Sequence, residues 1–111
     1  MVWLRNFQWP RLLGHRGLAA CAPENSFAGF QAAHQHGLRW VEFDVQRIQT
    51  GQLVIFHDEF LGRTCAGKCA MRECCYEDVR DLDIGSWLHA RYAQERLITL
   101  EEALLYCLQS V

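Results

Sequence analysis

Apolar residues change their period several times along the chain, and each change predicts an element. Leu12, Leu13, Gly14 and His15 form a short apolar run, read as a brief strand that ends at a turn permitted by Gly17. Leu18 to Pro23 reads as loop. Asn25 or Ser26 can cap a helix, because a side-chain oxygen there accepts an otherwise orphaned backbone N–H. Phe27, Phe30, Ala33 and His34 then recur at helical spacing, and Gly37 is placed as the stop. From Leu38 to Val45 the period falls to two, with Val41, Phe43 and Val45 on one face of a strand and Glu42 and Asp44 on the other. Thr50 and Gly51 mark a turn. Leu53 to Phe56 is a further apolar strand that runs into His57 and Asp58. Residues 61–75 are irregular and rich in Gly and Cys, and a helical turn or two is expected from Tyr76 to Leu82, broken near Gly85. Thr99 and Glu102 form a capping box. The helix it opens carries Leu100, Ala103, Leu104, Cys107 and Leu108 at core spacing.

Three short strands interleaved with helices predict an α/β fold that opens on a parallel sheet. The strands at 38–45 and 53–58 lie too close for a helix between them, so a parallel pairing there would need an unusually short crossover. Half of the 111 residues are apolar and 22% are charged, which excludes disorder. Eleven Lys and Arg against 13 Asp and Glu leave a net charge of −2, which argues against a nucleic-acid partner and against a polybasic membrane anchor. No apolar run is long enough to span a membrane, and Arg5, Asn6 and Gln8 interrupt the N-terminal segment before a signal sequence can form. Of six cysteines, Cys21 and Cys107 stand alone while Cys65, Cys69, Cys74 and Cys75 crowd one stretch. These features together predict a cytoplasmic protein with free thiols. A zinc module built on the four crowded cysteines is the lesser reading, since they lack the paired C-x2-C spacing of closed zinc sites.

Two groups of residues carry candidate chemistry. Glu42 and Asp44 sit two positions apart on a strand, about 6.6 Å of rise, with both side chains on one face. Two carboxylates at that spacing can share a hard cation such as Mg²⁺ or Ca²⁺, although a solvated strand face has the same pattern. His15 and His57 each sit at the C-terminal end of a short apolar strand, the edge where active sites of parallel α/β proteins collect. Imidazole titrates near neutral pH, so such a pair can serve as acid and base.

The order of these residues and their neighbours resembles the glycerophosphodiester phosphodiesterase family. The resemblance is carried by His15-Arg16-Gly17, Ala22-Pro23-Glu24-Asn25-Ser26, Glu42-Phe43-Asp44-Val45, and His57-Asp58 with Leu61, Arg63 and Thr64. Asp81 to Trp87 and Leu97 to Leu104 look like the family's next two landmarks. The resemblance implies a TIM-barrel-like fold, with residues 1–10 as an N-terminal extension and 11–111 as the N-terminal part of the phosphodiesterase domain. It implies that His15 and His57 are the acid/base pair, that Glu42 and Asp44 hold a divalent cation, Mg²⁺ or Ca²⁺, and that Arg16 contacts the phosphate. Glu24 and Asn25 match a loop that supports the site. The implied reaction takes a small glycerophosphodiester to an alcohol and glycerol 3-phosphate.

The chain also departs from the family pattern. Gln49, Thr50 and Gly51 stand where the family has Lys-Asp-Gly, and Ile98 stands where it often has proline. The family's third acidic ligand, on the strand after the Thr99 helix, has no counterpart in these 111 residues. A full barrel needs about 250 residues, so about three strands of eight are expected here. An unpaired barrel edge would favour self-association. A non-catalytic fragment or interaction module of the family is therefore the competing expectation, followed by another phospholipase-type barrel. His34, His36 and His89 are expected to be exposed. Trp3, Trp9, Trp40 and Trp87 are expected to bury area, with Trp87 able to wall the mouth of the site.

Overall fold

The computed structural model describes residues 11–109. The expected extension at 1–10, with Trp3 and Trp9, lies outside the described residues. The described residues form four short strands, β1 (Gly14–His15), β2 (Val41–Glu42), β3 (Val45–Arg47) and β4 (Leu53–Ile55), and three α-helices, α1 (Phe27–Gln35), α2 (Tyr76–Val79) and α3 (Leu100–Gln109), in the order β1-α1-β2-β3-β4-α2-α3. β1 and β2 pair in parallel, with Gly14 opposite Val41 and His15 opposite Glu42, and α1 makes the crossover between them. β3 and β4 pair antiparallel, with Gln46 opposite Val54. This is an α/β architecture.

The strand expected over 38–45 is two strands, not one. After Glu42 the backbone leaves the β1 ladder: the Asp44 N–H donates to Asn25 Oδ1 at 3.3 Å, and its carbonyl accepts from Phe56 N–H at 2.9 Å. Those long-range bonds turn the chain into a hairpin with β4, so Val45 points to solvent and does not join Val41 and Phe43. The hairpin also removes the expected crossover problem, because an antiparallel pair needs only a tight turn. Gly51 supplies that turn at φ +97°.

Local signals set the helix ends. Ser26, not Asn25, caps α1: its Oγ accepts from Gly29 N–H at 2.9 Å and donates to the Pro23 carbonyl at 2.6 Å. Gly37 ends the helix at φ +79°. The Thr99 capping box is reciprocal, with Thr99 N–H donating to Glu102 Oε1 at 3.0 Å and Glu102 N–H to Thr99 Oγ1 at 3.2 Å. The predicted helix at 76–82 is a single turn.

β4 is the centre of the core. Val54 and Phe56 face a cluster with Ile48, Met71, Val79, Ile84 and Leu97, while Ile55 faces a second cluster with Phe30, Ile98 and Ala103. A strand buried on both faces reads as a continuous apolar run, as this one does. α3 covers β4 with Leu100, Ala103 and Tyr106. Leu104 and Leu108, expected in the core, lie on the opposite, exposed face together with Leu105. His34, His36 and His89 are exposed, as their polar surroundings suggest. Trp40 and Trp87 correct the expectation of burial, at 38% and 42% exposed.

Candidate active site

The residues singled out in the sequence gather where β1 and β2 end. β1 stops at His15, and Arg16 follows in the left-handed region at φ 54°. That conformation costs a non-glycine residue about 1–3 kcal/mol and persists only where surroundings over-determine it. They do so here. The Arg16 N–H donates to Glu42 Oε1 at 3.1 Å, the Gly17 N–H donates to the Glu42 carbonyl at 3.2 Å, and the Arg16 carbonyl accepts from Asn25 N–H at 2.9 Å. Asn25 is itself left-handed at φ 56° and clasps Asp44 through both ends of its amide, with Nδ2 donating to Asp44 Oδ2 at 3.1 Å. Arg16 and Asn25, the two non-glycine residues at positive φ among those described, are thus bonded to each other and to both candidate carboxylates.

Gly17 permits the turn sterically. Its φ is +89°, and a Cβ there would come within 2.8 Å of the Gly29 backbone at the start of α1. Glycine at both positions lets helix and turn approach this closely.

A chain of ion pairs crosses the site. Arg16 Nη1 donates to Glu24 Oε2 at 3.2 Å, and Arg16 Nε lies 3.6 Å from Asp44 Oδ2 without a hydrogen bond. Glu24, buried, also takes a bidentate pair from Arg63, at 2.9 and 2.8 Å. Arg63 then reaches Asp58, with Nε donating at 2.8 Å and Nη2 at 3.0 Å. Asp58 Oδ1 sits 2.7 Å from His57 Nδ1. The guanidinium of Arg63, and after it the His57 hydrogen bond, hold the Asp58 carboxyl down at about 2. A carboxylate that stays ionised can only accept, so the bonded Nδ1 of His57 carries the proton and the lone pair is left on Nε2.

The structure thus brings Arg16, Glu24, Asn25, Glu42 and Asp44 into one bonded network and joins His57 to it through Asp58 and Arg63. His15 is exposed, next to Arg16 and opposite Glu42 in register. Asp58 and Arg63 carry part of the family resemblance, but the sequence reading gives them no role in the site. Their signal was a carboxylate adjacent to a candidate histidine, with an arginine five residues on. Gln46 had none either: its amide donates to the carbonyls of Phe56 and Asp58, at 2.9 and 2.7 Å, and so fixes the backbone that carries His57. Trp87 stands over Arg63, 5.9 Å from its guanidinium carbon.

None of these residues lines the apolar groove of about 500 Å³ between α1, β2 and α3, which is walled by Phe30, Leu38, Val41 and Tyr106. The candidate chemistry sits on the rim of the sheet. Among the described residues no three His, Cys, Asp or Glu side chains converge as a ligand set, at the crowded cysteines or at Glu42 and Asp44.

A profile described as the glycerophosphoryl diester phosphodiesterase family matches residues 15–110. The chain belongs to this family. The glycerophosphodiester phosphodiesterase of Caldanaerobacter subterraneus subsp. tengcongensis is 36% identical over 91 residues, covering 82% of this chain and 37% of that relative. An Oleispira antarctica phosphodiesterase, solved in complex with the product sn-glycerol-3-phosphate, superposes with a TM-score of 0.87 at 40% identity, covering 91% of this chain and 41% of that one. The glycerophosphodiester phosphodiesterase of Agrobacterium tumefaciens superposes at 0.86 with 30% identity, covering 93% and 45%. The chain therefore spans about two-fifths of the length of its phosphodiesterase relatives, and its α/β architecture is a part of the family's TIM-barrel-like fold. No helix among the described residues is long and apolar enough to cross a membrane.

The Asp58 cluster has a measurable pH signature. A carboxyl lowered from 3.8 to about 2 in the folded chain contributes stability that is fully present above pH 4 and lost as pH falls toward 2. Asp83, bonded by the Ser86 hydroxyl and by the N–H groups of Ser86 and Gly85, is held at about 2 as well and acts in the same window. Asp58→Asn isolates the first share. Urea midpoints measured from pH 2 to 6 are expected to fall less steeply below pH 4 in the variant, and an unchanged slope would remove Asp58 from the account.

Proposed function

We propose that the chain carries the acid/base and phosphate-binding half of a metal-dependent glycerophosphodiester phosphodiesterase site. The observation that supports this best is Arg16, held in a strained conformation against Glu42, Asp44 and Glu24 at the C-terminal ends of β1 and β2. Within this reading residues 11–111 are the N-terminal part of the phosphodiesterase domain, working in the cytoplasm, where six free thiols persist. The substrate is a small glycerophosphodiester, split to an alcohol and glycerol 3-phosphate.

The donor set fits a hard divalent cation. It is all carboxylate oxygen, and among the described residues no side chain donates to Glu42 Oε2 or Asp44 Oδ1, which leaves one oxygen of each for Mg²⁺ or Ca²⁺. Such a cation, when bound, supplies positive charge against the phosphoryl oxygens. Asn25 and the Arg16 N–H each hold one carboxylate by its other oxygen and so fix the pair in place. Arg16 adds a guanidinium beside the phosphate. His57, with Nδ1 bonded to Asp58, offers Nε2 to take a proton from the attacking hydroxyl, and His15 as an acid protonates the departing alkoxide; the two can exchange these roles.

The test is release of glycerol 3-phosphate from glycerophosphocholine by the purified chain with added Mg²⁺ or Ca²⁺. Release is expected to stop on chelation with EDTA and return with the cation. Release that persists in EDTA would remove Glu42 and Asp44 as a cation site.

A second reading is supported by the coverage of about two-fifths of each relative and by a ligand pair where three would hold a cation more tightly. In it the chain acts as an interaction module or as one part of a longer enzyme. Exposed Leu53, Leu104, Leu105 and Leu108 support self-association along that face. No activity from the chain alone, with activity from a form extended to relatives' length, selects this reading.

A further inference from the structure

All six cysteines are free thiols, but two of them meet. Cys69 Sγ and Cys74 Sγ are 3.2 Å apart, a thiol–thiol contact well outside the roughly 2.05 Å of a disulfide. The backbone on both sides of the pair is fixed. Leu61 N–H donates to the Cys69 carbonyl and Met71 N–H to the Glu59 carbonyl, both at 2.9 Å, around an isolated bridge between Phe60 and Ala70. Cys74 closes the 3-10 turn at Met71–Glu73, its N–H donating to the Met71 carbonyl at 3.1 Å and its thiol to the Ala70 carbonyl at 3.3 Å. Its own carbonyl accepts from Gln49 N–H at 3.0 Å. Between the two cysteines Met71 is fully buried and anchors the turn in the core.

The two thiols differ in access. Cys69 is exposed and Cys74 is buried. Burial, and then the neighbouring Cys69, pushes the Cys74 thiol up to about 11, so it stays protonated near neutral pH and does not react first. Cys65 is buried, its thiol also pushed up by burial, and among the described residues no other pair of sulfurs is in contact. Two thiols alone do not make a closed zinc site, which takes four ligands.

We propose that Cys69 and Cys74 are a peroxide-responsive dithiol, in which Cys69 is oxidised first and Cys74 resolves it to a disulfide. The Cys69 thiolate attacks one oxygen of hydrogen peroxide, the O–O bond breaks, and sulfenic acid and hydroxide result, the hydroxide taking up a proton as water. Cys74 sulfur then attacks the Cys69 sulfur, releases its proton, and displaces the hydroxyl as a second water. In sum two thiols lose two electrons and two protons, and one peroxide becomes two waters. The disulfide closes a ring around the 3-10 turn and ties down the base of the loop that carries Arg63, the clasp between Glu24 and Asp58. The assignment rests on the thiols alone and is independent of hydrolytic activity.

The experiment treats the full chain with hydrogen peroxide near neutral pH, alkylates the remaining thiols, and maps tryptic peptides without reduction. The expected product joins the peptide of Cys69 to the peptide of Cys74 and Cys75, lighter by two hydrogens and restored by dithiothreitol. Cys75→Ser is expected to keep the link. Cys74→Ser is expected to lose it and to leave a Cys69 sulfenic acid that dimedone traps. Cys69→Ser, at an exposed position where folding is spared, is expected to leave Cys74 alkylated and unoxidised. A link that survives Cys74→Ser but not Cys75→Ser overturns the assignment, as does a wild-type chain whose Cys69 passes to sulfinic acid without linking.

Discussion

His57→Ala is expected to lower the rate of glycerol 3-phosphate release by about 10²–10⁴-fold, the usual worth of a positioned general acid or base. Under the proposed function the loss should fall on kcat more than on KM, since there the imidazole moves a proton and binds little of the substrate. Stability should change little, because the ring is exposed and its one described bond is to Asp58. Asp58→Asn keeps the ring but replaces a pure acceptor with an amide that can also donate, so the Nδ1–H form of His57 is no longer enforced. An intermediate loss in that variant separates orientation of the imidazole from its presence. A His57→Ala chain that turns over at the wild-type rate would place the proton transfers elsewhere.

Among the residues of the candidate site, the largest stability effect is expected at Glu24. Its side chain is 9% exposed and accepts from both Arg16 and Arg63. Glu24→Gln preserves the volume and removes the charge that both guanidinium groups face. Arg63 keeps Asp58, but Arg16 is left with Asp44 at 3.6 Å and no hydrogen bond to it. Breaking a buried ion pair from one side typically costs 3–5 kcal/mol, and Arg63 is partly in water, so about 3 kcal/mol is expected from urea denaturation. A loss under about 1 kcal/mol would mark the pair as an ordinary surface bridge.

The peroxide-driven link between Cys69 and Cys74 bears on the same network from another side. Arg63 sits in the loop whose base the two cysteines close, so the redox state of the pair sets how firmly that loop is tied.

Much of the fold is legible in the sequence because its signals are short-range. Phe27, Phe30 and Ala33 repeat at the helical period, Ser26 and Thr99 offer an oxygen three residues before a free N–H, and Gly37 and Gly51 occupy positive φ where other residues are strained. Val54 to Phe56 is apolar at every position because both faces of the sheet are covered there. The candidate residues His15, Arg16, Glu24, Asn25, Glu42, Asp44 and His57 were all legible too, from the order in which the family's motifs occur.

What those signals do not reach is the choice among partners that several neighbours could satisfy. Period two runs unbroken through Val41, Phe43 and Val45, yet the strand breaks because Phe56 and Asn25 take the backbone of Asp44. Leu104 and Leu108 fit a helical core stripe, yet α3 meets β4 through Leu100, Ala103 and Tyr106 and leaves them in solvent. Arg63 could have paired with any nearby carboxylate, and chain closure across 39 residues delivered it to Glu24. Element type and helix ends follow from sterics and capping within a few residues, which the amino-acid order specifies directly. Which carboxylate faces which guanidinium, and so which histidine is oriented, depends on distances that exist only after the two apolar clusters around β4 have closed.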